Sequence, residues 1–318
     1  MRISLAWMII AALTALGCGD DDGTTDTTTP TDMFVPATDM SDPPTDMGDP
    51  GETRTLGLAF EGLPELGDGY EYEGWIIVDD APVTTGRFSV VDGAISPATF
   101  EIDAAMADAA AMFVLTIEPS VGDDPAPSDT HVLAGPFESG DADLTIGHMA
   151  ALGDDFTGAA GTFFLATPTS AATDDDAQGI WFIDASSGSP AAGLDLPELP
   201  AGWVYEGWIV DVSGDGPMPI STGTFTAVDA ADSDGAGEAA GDEGAPPFPG
   251  QDYIDPARDL TADHMAVISI EPSPDDSAAP FQLKPLAVMI GSETGMAAGQ
   301  DLGNAIGDNS ISGSASFE

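Results

Sequence analysis

One cysteine, three histidines and five basic side chains are all that this chain of 318 residues brings to redox, zinc and polyanion chemistry. With Cys18 alone, neither an intrachain disulfide nor a thiolate metal cluster can form. His131, His148 and His264 stand apart, at none of the short spacings of a zinc site. The bases are Arg2, Arg54, Arg87, Arg258 and Lys284, against 56 acids, for a net charge of −51. Such a surface repels phosphate backbones and anionic headgroups, so no nucleic-acid partner is expected. Also lacking are a G-x-S-x-G elbow, a dinucleotide glycine loop and a phosphate loop. The expectation is a non-enzyme with no metal and no small-molecule cofactor.

Past the N-terminus no apolar run is long enough to span a bilayer. The N-terminus itself reads as an address. Arg2, an apolar stretch from Ile3 to Leu16 and small Gly17 precede Cys18, which is a signal-peptide pattern over 1–17. Ala15-Leu16-Gly17-Cys18 resembles a bacterial lipobox. That resemblance implies a diacylglycerol thioether on Cys18 and stable anchoring to a membrane. Gly19, where sorting rules would place Asp for inner-membrane retention, leans towards the outer membrane over the inner.

Residues 18–52 are mostly Thr, Asp, Pro and Gly with few apolar residues, and "TDM" recurs every seven residues from Thr31. Prolines 36, 43, 44 and 50 forbid the coiled coil that this period would otherwise suggest. A disordered, solvated tether is expected there.

Beyond it the chain repeats itself. "LPELGDGYEYEGWIIV" from Leu63 matches "LPELPAGWVYEGWIVD" from Leu196, and "TGRF" from Thr85 matches "TGTF" from Thr222. "MFVLTIEPS" from Met112 matches "MAVISIEPS" from Met265, and the final "SASFE" from Ser314 falls opposite "GTFFL" from Gly161. Copy one is 53–167, a linker takes 168–177, and copy two is 178–318. Copy two carries an acidic insertion over about 229–256 that reads as a surface loop. Within it, Asp232-Ser233-Asp234-Gly235 comes nearest to a calcium loop, but Ala230 and Gly241 stand where the first ligand and the bidentate Glu belong.

Short β-branched and aromatic runs bounded by Gly, Pro and Asp predict an all-β chain: two tandem antiparallel β-sandwich, Ig-like domains. Val78 against Asp211 suggests that Gly74, Ile76 and Val78 face outwards and Trp75 and Ile77 inwards. In "TIEP", Leu115 and Ile117 share a face opposite Thr116 and Glu118.

Trp75, Gly86, Phe88, Glu118 and Pro119, and again Trp208, Gly223, Phe225, Glu271 and Pro272, follow one order. This order resembles the extracytoplasmic C-terminal domain of anti-sigma-K factors, present twice. A complete member of that family adds a cytoplasmic sigma-binding domain and a membrane-spanning helix. Neither is expected here, so the resemblance implies an outside module without direct sigma-factor sequestration.

Candidate binding residues are the glutamates Glu73 and Glu118, their counterparts Glu206 and Glu271, and the aromatics Tyr70 and Trp203, which precede their strands. Paired carboxylates can divide acid and base roles on glycans, and tyrosines serve binding surfaces. The leading expectation is a lipid-anchored envelope protein that binds or senses, with an envelope protein as partner. The alternatives are a glycan-binding or glycan-active lipoprotein and a structural spacer.

Overall fold

The computed structural model describes residues 51–275 and 277–318, so the expected signal peptide, Cys18 and nearly all of the expected tether lie outside the described residues. The described chain is all-β. Copy one supplies β1 (Thr53–Glu61), β2 (Tyr70–Val78), β3 (Ala81–Val91), β4 (Ala94–Ser96), β5 (Thr99–Asp103), helix α1 (Ala104–Ala109), β6 (Ala110–Pro119), β7 (His131–Pro136), β8 (Asp141–Thr145) and β9 (Ala160–Leu165). Next come β10 (Gly179–Trp181) and the small pieces β11 (Ile183–Asp184), β12 (Ala191–Ala192) and β13 (Leu194–Asp195). The chain ends with β14 (Trp203–Asp211), β15 (Met218–Phe225), β16 (Gly250–Asp252), β17 (His264–Pro272), β18 (Leu286–Met289), β19 (Gln300–Asn304), α2 (Ile306–Asn309) and β20 (Ser312–Phe317).

Two large antiparallel sheets form two sandwich-like bodies. The first runs β4-β3-β2-β6-β7-β8-β20-β1-β5, and the second β15-β14-β17-β18-β19-β9-β10-β16. Set side by side, the orders correspond strand for strand, apart from β4. The exception is ownership: β20, the end of copy two, lies between β8 and β1 of the first body, while β9, the end of copy one, lies between β19 and β10 of the second. The repeats 53–167 and 178–318 have exchanged their last strands. The ladders place Gly313 opposite Leu144 and Gly161 opposite Leu302, so Gly161 corresponds to Gly313, one residue from the pairing with Ser314 read in the sequence. Both slots need a strand whose apolar residues match the neighbouring ladder, and both terminal strands meet that need.

The repeated motifs are explained by one shared device. Tyr72 and Tyr205 are buried, and their hydroxyls donate to the Pro64 and Pro197 carbonyls at 2.9 and 2.7 Å. Each stacks on the phenylalanine of "TGxF", Phe88 or Phe225, at 5.5 and 5.6 Å. Opposite Gly74 and Gly207 the neighbouring strand bulges, and the bulge needs Gly86 and Gly223 at φ of 123° and 98°. Gly74 and Gly207 have no room for a Cβ against Thr85 and Thr222.

The facing expected of the tryptophan strand is reversed. Tyr72 and Ile76, with Tyr205 and Ile209, enter the main core beside Leu115, Ile117, Ile268 and Ile270. Trp75 and Trp208 lie on the other face in small clusters of their own, one closed by Ala134 and Ala151 and the other by Val210 and Val267. Asp211 misleads because it ends its strand, where it meets Arg258 at 3.5 Å and His264 at 4.0 Å, so it does not mark a solvent face. Both faces are covered, which removes the alternation that normally reveals register.

The acidic insertion also differs from a plain surface loop. Its end is strand β16, and Asp252 there is fully buried, accepting from the Trp181 indole at 2.8 Å and the Thr169 amide at 2.9 Å. β16 occupies in the second sheet the place that β5 takes in the first.

Candidate functional site

Glu73 lies on β2, and its cross-strand partner on β3 is Arg87. The Arg87 Nε donates to Glu73 Oε2 at 2.8 Å, its Nη1 donates to the Pro119 carbonyl at 2.9 Å, and its Nη2 reaches Asp123. Thr84 donates to the other Glu73 oxygen. Arg87 thus clamps a strand centre, a strand end and the following turn. Glu118 is fully buried; Oε1 accepts the Ser128 amide at 2.8 Å, while Oε2 has no partner. Burial pushes the Glu118 carboxyl upwards, against the hydrogen bonds that favour its ionised form.

In the second body the same ladder pairs Glu206 with Thr224. The guanidinium is gone and the carboxylates remain. Glu206, Glu271 and Asp275 bring carboxylate oxygens within 4.8 Å of one another, an arrangement able to hold a cation. Ser221 donates to Glu206, Ser269 donates to Glu271, and the Phe281 amide reaches both Glu271 oxygens at 2.9 and 3.1 Å. Ser269 in turn accepts the Trp208 indole N–H at 2.7 Å, as Thr116 accepts that of Trp75 at 2.9 Å. Burial raises Glu206 and pushes Glu271 up to about 7, with Asp275 adding to both shifts. Lys284 points its ammonium at the Phe281 and Gln282 carbonyls, 2.7 and 3.4 Å away, and burial lowers its pKa.

The four glutamates marked in the sequence are therefore all buried, and each is tied to its own body. Arg87, Asp123, Asp275 and Lys284 went unmarked. The Arg-to-Thr difference between "TGRF" and "TGTF" was the signal that could have found the first.

The two aromatics part company. Trp203, a candidate for a binding surface, is only 3% exposed. It packs edge-on against Phe281 at 5.9 Å, and its indole donates across to the His131 carbonyl of the first body at 3.2 Å. It opens β14 instead of preceding it, paired with Pro272 of β17, and this strand end lies at the seam between bodies, where burial follows. Tyr70 is half-buried and stands where two clefts meet. One, of about 240 Å³, lies between the bodies, with Leu66 and Tyr70 on one wall and Pro272 and Phe281 on the other. The second, of about 370 Å³, carries Glu65, Asp68 and Glu71 around the same tyrosine.

No helix among the described residues is long and apolar enough to cross a membrane. Searched against protein-family models, curated proteins and solved structures, the chain matches none of them.

Proposed function

We propose that the chain is a non-enzymatic binding protein of the cell envelope, carried on a lipid at Cys18 and built on duplicated anti-sigma-K-like outside domains. Its Tyr70 cleft takes a cationic segment of an envelope protein. The observation that supports this reading is the cleft itself: an aromatic ring at the junction of two bodies, flanked by Glu65, Asp68 and Glu71. A lysine or arginine against a tyrosine face and two or three carboxylates gains both cation–π and ionic attraction. The buried glutamates, by contrast, are tied to serines, threonines, backbone amides and Arg87, which suits structural duty. Tether and anchor place this cleft at a membrane surface, with the outer membrane favoured.

The test is in-cell crosslinking from a photoreactive residue at position 70, followed by mass spectrometry of the captured material. A single envelope protein, enriched over the same probe in a Glu65→Lys, Glu71→Lys background, supports the proposal. If the capture is glycan instead, the glycan-binding reading replaces it. No capture above that control would leave the cleft without a partner and favour a spacer role.

A further inference from the structure

In the first body the seam between β3 and β5 is closed by an apolar plug: the Phe100 ring fills the space over Gly86. In the second body the matching space, over Gly223, is filled by two carboxylates. Both Asp232 and Asp234 bring Oδ1 to the point where a Cβ on Gly223 would stand. The acidic insertion delivers them. Ser233 pairs with Thr224 of β15 at 2.9 Å, and Ala236 accepts the Asp252 amide of β16 at 3.1 Å, so residues 233–236 bridge the seam.

What lies beside this pair is polar and unsatisfied. Asp232 Oδ2 accepts the Gly250 amide at 2.9 Å, but Oδ1 is buried without a partner. The next residue, Gln251, is 8% exposed; its side-chain amide fills the space over Gly237, in the same turn, and its Oε1 is also partnerless. Tyr253, 5% exposed, adds a phenol oxygen with no partner. Burial pushes Asp232 up to about 7, and Asp234 adds to the shift. Arg258, whose backbone amide donates to the Tyr253 carbonyl, directs its guanidinium at Asp211, 3.5 Å away. Two adjoining carboxylates, one with a buried oxygen that no donor meets, and a buried amide oxygen equally unpartnered form a hard, all-oxygen set.

We propose that the turn 232–237 and strand β16 hold a hard divalent cation of calcium's class, ligated by the Asp232 and Asp234 carboxylates and Gln251 Oε1. The cation takes the place of the phenylalanine plug and locks the insertion across the seam. The site stands apart from the partner cleft and does not depend on it. It also shows why "DSDG" fails as a calcium loop when read alone: the third protein ligand comes from β16, outside the contiguous motif.

The test is a calcium titration of the purified whole chain after chelator treatment, in physiological salt so that the diffuse negative field is screened. Melting temperature and tyrosine emission are the readouts. A saturable rise in both is expected, with a midpoint weakened by about tenfold or more in Asp232→Asn and in Asp234→Asn. Asp275→Asn, in the other acidic cluster, leaves the midpoint unchanged. Gln251→Glu provides a third variant should the Asn forms fail to fold: a further anionic ligand tightens calcium, whereas without a cation it could only destabilise. The proposal is overturned if calcium produces no saturable change, or if the midpoint is the same in parent and Asn variants. It is equally overturned if the Asn variants melt higher than a calcium-insensitive parent, which would mean that the two aspartates share a proton.

Discussion

Glu73 faces Arg87 across one rung of the first sheet, and Glu206 faces Thr224 across the equivalent rung of the second. One substitution at a matched position divides the two bodies electrostatically. The first neutralises its buried carboxylate with a guanidinium; the second relies on hydroxyls and protons.

Replacing Arg87 with Thr should leave Glu73 facing an empty rung. Removing one partner of a buried ion pair commonly costs 3–5 kcal/mol, but the Arg87 side chain is 28% exposed, so a loss of about 2 kcal/mol is expected. Urea unfolding at neutral pH would measure it. The reciprocal Thr224→Arg should stabilise the second body, and an unchanged midpoint would show that its carboxylates are already satisfied.

The second body should weaken as pH rises. Burial holds Glu271 at about 7 against an ordinary 4.5, so in that window the folded chain retains a proton that the unfolded chain releases. The contribution is fully present below the window and lost across it, on the order of 3 kcal/mol. Glu206, Asp275 and Lys284 surround the group, and general repulsion among acids slopes the same way. The informative comparison is therefore with Glu271→Gln, which should flatten the profile and melt higher than the parent at pH 8. Equal slopes in the two proteins would discount the assignment.

Ser269 sits between an indole N–H and a carboxyl, accepting one and donating to the other. Ser269→Ala should strand both, at a cost of about 1–3 kcal/mol. Ser269→Thr, which imitates Thr116 of the first body, should restore most of it. Thermal melts of the three proteins would decide whether the relay or mere volume matters.

Deleting residues 310–318 should melt the first body and spare the second, because β20 belongs to the first sheet. Hydrogen exchange would report it, with amides of β2 and β6 losing protection while those of β14 and β17 keep theirs. The fragment 51–167 should fold with its own β9 between β8 and β1. Uniform loss of protection in the truncated chain would instead mean that the bodies unfold as one unit.

The repeats made the all-β class legible, since "EGWI", "TGxF" and "IEPS" each mark a strand or bulge in both copies. Facing was not legible at Trp75, because side chains on both sides of that sheet are buried and period two loses its contrast. Trp203 and the last strands were hidden for another reason. A sequence repeat states which segments are alike but carries no information on which copy each segment joins. Likewise Asp232 and Gln251 are nineteen residues apart, and only the bridge between β15 and β16 makes them neighbours.

The exchange of β9 and β20 also sets an order of events at birth. The first body is nearly complete when Thr145 has emerged, yet the slot between β1 and β8 waits for the last residues of the chain. Until then its two strand edges are open to the chain's own β9, the equivalent strand of copy one, and such edges are the very condition that invites mispairing. A chain made from its N-terminus therefore reaches its final pairing only when its last strand arrives, and that strand fastens the earliest part of the fold to the latest.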